Sequence, residues 1–348
     1  MKEVSPLVSI LVPVYKAEKY IERCARSLFE QTYPNLEFLF VDDASPDKSI
    51  EILQKVIQYY PKWQNSTLII HHHKNRGIAA ARNTLIDNCK GEFLFHVDSD
   101  DWIEPNAIEL LMERQLETDA DIVSGKYYRH TINEEQEESI IVVPSSQGKD
   151  KEETLKVMLK FGSVVATWNR LIRSSLYHDN NIRYAEGIDA GEDLMITPRL
   201  VYYSRKVASC NSITYHYNRN NPNSCVSGFK HSWDMQLQLI KACQMNVDFF
   251  SHKEEYFKEA MNRQFVQRLK NISELTFMNR NRKRYKAVVG LLDETDRKYW
   301  TLIGWDRPIK RWLDHHYIIS HLLIPLRIMH SEIQKLMKSY ISKKKQKE

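Results

Sequence analysis

No apolar run in this sequence is long enough to cross a bilayer. The longest, from Tyr317 to Met329, is broken by His321, Pro325 and Arg327 and falls short of the ~20 residues a helix needs to span about 30 Å of hydrocarbon. There is no Cys-x-x-Cys pair either. Cys24, Cys89, Cys210, Cys225 and Cys243 are odd in number and far apart, which excludes a disulfide framework and a zinc-ligand spacing and is the pattern of reduced thiols. No apolar leader follows Met1 to Pro6, and no internal repeat is evident. A strong basic surplus is also missing. The formal net charge is +5, and residues 335–348 alone hold six Lys against one Glu. The remainder is near neutral, which argues against a nucleic-acid grip spread over a binding face. The expectation is a cytoplasmic protein whose basic end is attracted to the anionic inner face of the cell membrane.

What is present is ordinary globular material: 348 residues, 42% hydrophobic and 27% charged, enough for one large domain with an appendage or for two domains. The first hundred residues alternate short apolar runs with helix-period segments. Val8 to Val14, Leu36 to Val41, Leu68 to His72 and Phe93 to Val97 are predicted strands; Ala17 to Glu30, Asp47 to Tyr59 and Ile78 to Asn88 are predicted helices. This is the pattern of an α/β fold with a mostly parallel, Rossmann-like sheet. Residues 131–153 are polar and acidic around a short predicted strand, Ile140 to Val143, and are expected to be an exposed, mobile excursion. From about Gly228 the character changes to long helical segments, so the expected domains are 1–227, catalytic, and 228–348, helical.

Polar motifs fall just after the predicted strands, at the edge where open α/β sheets bind ligands. The most specific is His96-Val97-Asp98-Ser99-Asp100-Asp101. Carboxylates this crowded repel one another unless a cation intervenes, and Mg²⁺ is typically held by one or two carboxylates plus substrate phosphate oxygens. Asp98, Asp100 and Asp101 are therefore candidate ligands of Mn²⁺ or Mg²⁺, with Ser99 beside the phosphates; the alternative is that Asp100 or Asp101 caps a following helix. After the second strand comes Asp42-Asp43-Ala44-Ser45-Pro46-Asp47. One of Asp42 and Asp43 is suited to accept from a base N–H or a ribose hydroxyl, and the bland alternative is a solvated turn. Asn75-Arg76-Gly77 opens a helix of small residues leading to Arg82-Asn83, so its first amides and an Arg could meet a diphosphate; Arg82 as a buried structural partner is the alternative. Gly187 to Leu194 contains Glu192-Asp193. Asp193 is the candidate general base and Glu192 its orienting neighbour, against an acidic pair that merely suits a helix N-terminus. His71-His72-His73 lacks the geometry for a metal site, since adjacent strand residues face opposite ways. Trp168, Asn169 and the stretch from Tyr215 to Ser224 are either acceptor-pocket contacts or core.

Taken in order, these segments resemble the family 2 glycosyltransferases with the GT-A fold, of the bacterial capsule, exopolysaccharide and cell-wall kind. The resemblance covers about residues 5–225 and rests on Pro13-Val14-Tyr15, Val41-Asp42-Asp43-Ala44-Ser45, Asn75-Arg76-Gly77 with Ala81-Arg82-Asn83, Asp98-Ser99-Asp100-Asp101, Trp168-Asn169, Glu192-Asp193, and Tyr217 with Arg219 and Ser224. It implies a nucleotide-diphosphate sugar donor, usually UDP-linked, contacted near Pro13, Val14, Tyr15, Asp42 and Asp43, with ribose and metal near Asp98 and Asp100. It also implies inversion at the anomeric carbon with Asp193 as base. The Gln-x-x-Arg-Trp motif and membrane spans of the family's processive synthases are absent, which favours single-sugar addition to a glycan or lipid-linked acceptor. Ala44 stands where Gly is commoner, a mild departure unless the turn requires a positive φ.

Two other classes compete. A sugar nucleotidyltransferase would want a glycine-rich first loop, which Pro13-Val14-Tyr15-Lys16-Ala17 is not. A non-catalytic, membrane-peripheral sugar-binding protein would be favoured by broken acidic clusters, and these are intact. In the C-terminal third, Trp312, Ile319, Leu322, Leu323, Leu326, Met329, Ile333 and Met337 recur at helical spacing beside Lys and Arg, an expected interfacial helix or a helix docked on a partner.

Overall fold

The computed structural model describes residues 5–132, 138–143, 150–158, 165–222, 224, 232–278, 281–293, 295 and 299. The expected C-terminal interfacial helix and lysine-rich end lie outside these residues, as does Cys225; the other four cysteines are free thiols. The chain opens with β1 (Val8–Val14), α1 (Ile21–Phe29), β2 (Leu36–Asp42), α2 (Ser49–Gln58), a 3-10 turn (Pro61–Ser66), β3 (Thr67–His71), α3 (Ile78–Asn88) and β4 (Phe93–His96). The four strands agree with the sequence-based expectation to within a residue. Helix α1 starts four residues later than its periodicity suggests, because Lys16 adopts φ 51° and the segment before Ile21 forms a turn in which Ala17 N–H donates to Ser49 Oγ.

The second half comprises β5 (Trp102–Ile103), α4 (Ala107–Thr118), β6 (Ile122–Ile132), β7 (Glu138–Val143), α5 (Lys151–Met158), β8 (Arg170–Arg173), α6 (Ser175–Asp179), α7 (Glu192–Tyr203), β9 (Val207–Asn218), α8 (Trp233–Phe250), α9 (Glu255–Met278) and α10 (Arg282–Asp293). Among the described residues the nine strands join one sheet in the order β3-β2-β1-β4-β8-β6-β9-β5, with β7 beside β6. Strands β3, β2, β1 and β4 are parallel. Strand β8 runs antiparallel to β4 and β6, whereas β6 and β9 are parallel. The carboxyl ends of β1, β2, β3, β4 and β9 therefore reach one edge, and every motif above lies on it.

Helices cover both faces, as the near-continuous apolar strands require. All seven residues of β1 are buried. Val8, Ile10, Val12 and Val14 share a core with Ile21, Cys24, Leu28 and Phe29 of α1. Phe38 meets Phe29 and Trp63 edge-on at 4.9 and 5.2 Å, and the Trp63 indole N–H donates to Phe29 O at 2.9 Å. On the other face α3 packs on β1 and β2. Its Ala79, Ala80 and Ala81 are fully buried, small enough to let the helix lie close to the sheet.

The chain divides into two compact units, residues 1–260 and 261–348. Helix α8 belongs to the first, so the change to long helices that sequence puts near Gly228 occurs inside that unit. Pro198 lies within α7. A proline there has no N–H for the carbonyl four residues back, which is Leu194 O, and a buried carbonyl needs a donor. Asn246 of α8, fully buried, supplies it: Nδ2 donates to Leu194 O at 2.7 Å while Oδ1 accepts from Arg199 Nε at 3.2 Å. In the second unit the part of α9 beyond Ala260 buries Phe265, Leu269 and Ile272 at helical spacing, and α10 buries Tyr285, Val288 and Val289.

Replacing Asn246 by Leu should cost about 1–3 kcal/mol, the range for a buried polar group left without its partner. The loss, read from urea unfolding, should shrink in a Pro198→Ala background, where the restored N–H reaches Leu194 O; additive effects would refute the pairing.

Candidate active site

The Asp98 to Asp101 loop joins β4 to β5 at the carboxyl edge, and β9 holds it from beneath. Tyr215, fully buried, stacks on Trp168 at 4.8 Å and 20°, and Trp168 stacks in turn on Tyr217. The Tyr215 hydroxyl accepts from Asp98 N–H at 3.1 Å and donates to Asp101 Oδ2 at 2.7 Å. Asp101 Oδ1 accepts from Asn218 N–H at 2.7 Å. Both oxygens of Asp101 are thus engaged inside the protein. This departs from its expected place among the metal ligands: it fixes the loop, and Asp98 and Asp100 present oxygen at the edge. Trp168 and Tyr215 are core, and Asn169, at φ 61°, is buried with Nδ2 donating to Gly125 O at 2.7 Å.

Asp100 Oδ2 accepts from Asn221 Nδ2 at 2.8 Å. Burial, reinforced by the negative charge of Asp98, pushes the Asp100 carboxyl up to about 6. Burial also raises Asp98, against the pull of Arg82. Among the described residues no three His, Cys, Asp or Glu side chains converge into a ready-made metal cluster. Asp98 and Asp100 still fit a divalent cation that takes its remaining oxygens from a diphosphate and water, since a nearby cation would offset the burial, and the neighbouring negative charge, that raise the two carboxyls. Ser99, half-buried, lies between them.

Arg82 is the centre of the site. Its side chain is 1% exposed and contacts three carboxylates: Nη2 donates to Asp98 Oδ1 at 2.8 Å, and Nη1 to Glu192 Oε1 at 2.9 Å and Asp193 Oδ1 at 2.8 Å. Although burial works against the charge, Asp193, Asp98 and Glu192 keep the guanidinium protonated well beyond its ordinary range. Its expected role at a diphosphate is therefore corrected: Arg82 is buried by carboxylates and ties the β4 edge to the first turn of α7.

The turn after β2 is also inward-facing. Asp43, buried, accepts from His72 Nδ1 at 2.7 Å, Arg76 N–H at 2.9 Å and Gly77 N–H at 2.8 Å, and Asn75 Nδ2 donates weakly to Asp43 O at 3.4 Å. Asp43 is thereby the anchor of the 75–77 turn. Asp42, half-buried, accepts from Ser45 N–H and pairs with His71 Nδ1. Ala44 takes φ 54°, so this turn does use the left-handed region that glycine occupies without cost. Pro13 and Val14 are buried at the end of β1, and Tyr15 beyond them is 42% exposed, free to meet a ligand. The first turn of α3, expected to receive a diphosphate, is occupied: Asp189 Oδ1 accepts from Ala79 N–H at 3.3 Å. Gly77 sits at φ 88°, and a Cβ there would fall 2.5 Å from the Asp189 carboxylate oxygens. The glycine makes room for Asp189.

Glu192 and Asp193 open α7 after Gly191, at φ 92°. Helix α8 braces the approach, with Gln238 Oε1 accepting from Asp189 N–H and Ala190 N–H. Sequence reasoning missed Asp189 and Gln238, and also Thr167 and Tyr184, which line the buried side of Asp193. Only adjacency to Trp168 could have drawn attention to Thr167, and only membership of the acidic turn to Asp189.

One arginine among three carboxylates leaves an excess of negative charge, and Glu192, 13% exposed, carries the consequence. Burial first, then Asp193, lifts its carboxyl from 4.5 to about 8, with Arg82 pulling the other way. Because the folded value exceeds the ordinary one, the stability this group confers is complete below about 4.5 and is lost as pH rises through about 8. The unfolding midpoint should fall across that window in the wild type and fall less in Glu192→Gln, as measured by urea titrations at several pH values. Equal slopes would show that Glu192 is not the titrating group.

The family model described as "Glycosyl transferase family 2" matches residues 9–179. The protein named "Putative glycosyltransferase EpsH" of Bacillus subtilis (strain 168) is 30% identical over 258 residues, 73% of this chain and 73% of that protein. Among solved structures, S. aureus TarS 1–349 in complex with UDP-GlcNAc aligns over 90% of this chain and 88% of its own with a TM-score of 0.65 at 19% identity. The mannosyltransferase PcManGT from Pyrobaculum calidifontis, in complex with GDP-Man and Mn²⁺, covers 93% and 88% with a TM-score of 0.52 at 14% identity. These two likenesses bear on the fold, a GT-A sheet. The family match and the EpsH relationship set aside the nucleotidyltransferase and non-catalytic alternatives: the chain belongs to glycosyltransferase family 2.

Proposed function

We propose that the protein transfers a single sugar, with inversion, from a nucleotide-diphosphate donor to a hydroxyl of a glycan or lipid-linked acceptor in surface polysaccharide synthesis. The observation that carries the proposal is the convergence on Arg82 of Asp98, at the donor edge, and Asp193, at the start of α7. The two sides of a displacement are thereby held by one buried group. Tyr15 and Asp42, with the backbone of Pro13 and Val14, border the nucleoside; Asp98, Ser99 and Asp100 border the diphosphate. A UDP-sugar is the favoured donor, supported by the UDP-GlcNAc bound to TarS.

Asp100 and Asp98 would hold a divalent cation, Mn²⁺ or Mg²⁺, as the PcManGT complex with Mn²⁺ suggests. When bound, such a cation offsets the charge of the diphosphate and of the departing nucleotide. Asp193 takes the acceptor's hydroxyl proton as that oxygen bonds to the anomeric carbon from the face opposite the diphosphate. The bond from the anomeric carbon to the diphosphate oxygen breaks, and the nucleoside diphosphate leaves with the electron pair. One displacement with one base inverts the centre. Arg82 keeps Asp193 charge-paired while it waits, and the buried surroundings limit competing attack by water.

Purified protein incubated with UDP-glucose, UDP-galactose, UDP-GlcNAc and GDP-mannose, with Mn²⁺ or with EDTA, tests this. Slow nucleotide release from one donor is expected, lost with EDTA, in Asp100→Asn and in Asp193→Asn. Release that survives both substitutions, or no metal-dependent binding of any of these donors by calorimetry, would refute the proposal.

A further inference from the structure

Asp193 is held asymmetrically. Both described hydrogen bonds to its side chain end on Oδ1: one from Arg82 Nη1 at 2.8 Å and one from Thr167 Oγ1 at 2.5 Å. Thr167 is fully buried, and the sequence pattern gave it no role. Its backbone is rigid for reasons visible on either side. Ala166 O accepts from Arg170 Nε at 2.8 Å, Trp168 is stacked between Tyr215 and Tyr217, and Asn169 is pinned to Gly125 O.

The direction of the Thr167 bond is also fixed. A hydroxyl has one proton, and an ionised carboxylate only accepts, so Thr167 must give its proton to Asp193. Its lone pairs are then open to a donor, and Tyr184 Oη provides one at 3.1 Å. Tyr184 is 2% exposed, and burial raises its hydroxyl above the ordinary value, keeping it protonated. The Arg82 guanidinium lies over its ring at 5.5 Å. The chain Tyr184 to Thr167 to Asp193 therefore runs one way.

We infer that Thr167, directed by Tyr184, is a positioning residue for Asp193: it fastens Oδ1 and so leaves Oδ2 as the atom that receives the acceptor's proton. This rests on the reading of Asp193 as the general base. Arg82 alone would hold the carboxylate by one oxygen through a single N–H and leave it free to turn about its terminal bond; the second donor, from a different direction, fixes that rotation. A base displaced by even ~1 Å can lose about a hundredfold in rate. Donor binding is unaffected, because Thr167 sits behind the base rather than on the donor edge.

The test uses whichever sugar nucleotide of the four the wild type hydrolyses, measuring kcat and donor KM for Thr167→Val, Thr167→Ser, Tyr184→Phe and Asp193→Asn, each checked for folding by circular dichroism. Thr167→Val, close in shape but without the hydroxyl, should lower kcat about ten- to hundredfold with KM unchanged. Thr167→Ser should recover most of that rate, and Tyr184→Phe should fall between. If Thr167→Val does not fold, the pair Tyr184→Phe and Thr167→Ser carries the comparison, with a kcat loss at unchanged KM expected in the first only. An active wild type and a dead Asp193→Asn beside a Thr167→Val of wild-type kcat would overturn the positioning role alone. Equal losses in the Val and Ser variants would do the same, reducing Thr167 to packing. A fully active Asp193→Asn, or a wild type silent on all four donors, would overturn the base reading and this inference with it.

Discussion

A single buried cation organises the site. Arg82 comes from α3, Asp98 from the end of β4, and Glu192 and Asp193 from α7, so its three ion pairs join parts of the chain 16 to 111 residues apart. A guanidinium taken out of water is costly unless it is paired, and planar fork geometry is what allows Nη1 and Nη2 of one side chain to serve three carboxylates, while Nε has no partner among the described residues. Removing one member of such a buried set commonly costs about 3–5 kcal/mol, because the charges left behind are unpaired. Other local features are arranged so that Arg82 can sit where it does. The alanines before it let α3 lie close to the sheet, and Gly191 allows the chain to turn sharply into the acidic pair.

The rest of the first unit braces the two ends of that cluster. On the Asp98 side, Tyr215 and Asn218 of β9 grip Asp101 so that Asp98 and Asp100 are delivered to the edge. On the Asp193 side, α8 fixes the turn before α7 through Gln238 and makes good through Asn246 the hydrogen-bond donor that Pro198 withholds. Thr167 and Tyr184 then fasten the Asp193 side chain, the proposed base. The division separates three neighbouring carboxylates by their contacts: Asp101 is a strut with both oxygens engaged inside the protein, whereas Asp98 and Asp100 present oxygen at the edge, each raised first by burial, Asp98 further by Asp193 and Asp100 further by Asp98.

Much of this was legible in the sequence, and the limits have physical causes. The parallel half could be placed because β1, β2 and β4 are buried almost throughout and so are continuous apolar runs, as is the more exposed edge strand β3, each punctuated by polar turns at one end. The identity of the motifs was legible for the same reason. What could not be read was direction. Asp42 and Asp43 are indistinguishable as letters, yet one is half-exposed and the other is swallowed by the amides of Arg76 and Gly77. Arg82 and the first turn of α3 looked suited to a diphosphate, and only the fold reveals that Asp98, Glu192, Asp193 and Asp189 reach them first. Thr167 left no periodicity at all, since its importance lies in one hydrogen bond to a residue 26 positions away. Ala44 shows the reverse case, a departure whose relevance depended on a dihedral angle that proved positive.

The most direct examination of the Arg82-centred site is a crystal structure of the protein with the hydrolysed nucleotide sugar and Mn²⁺, using Asp193→Asn to slow turnover. The cation should lie on Asp98 and Asp100 with the diphosphate beside it. Arg82 should still bridge Asp98 and residue 193, whose unfastened side-chain atom should face the anomeric carbon from the side opposite the leaving group. A diphosphate seated instead on the first turn of α3 with Asp189 displaced, or an anomeric carbon facing away from residue 193, would contradict the account.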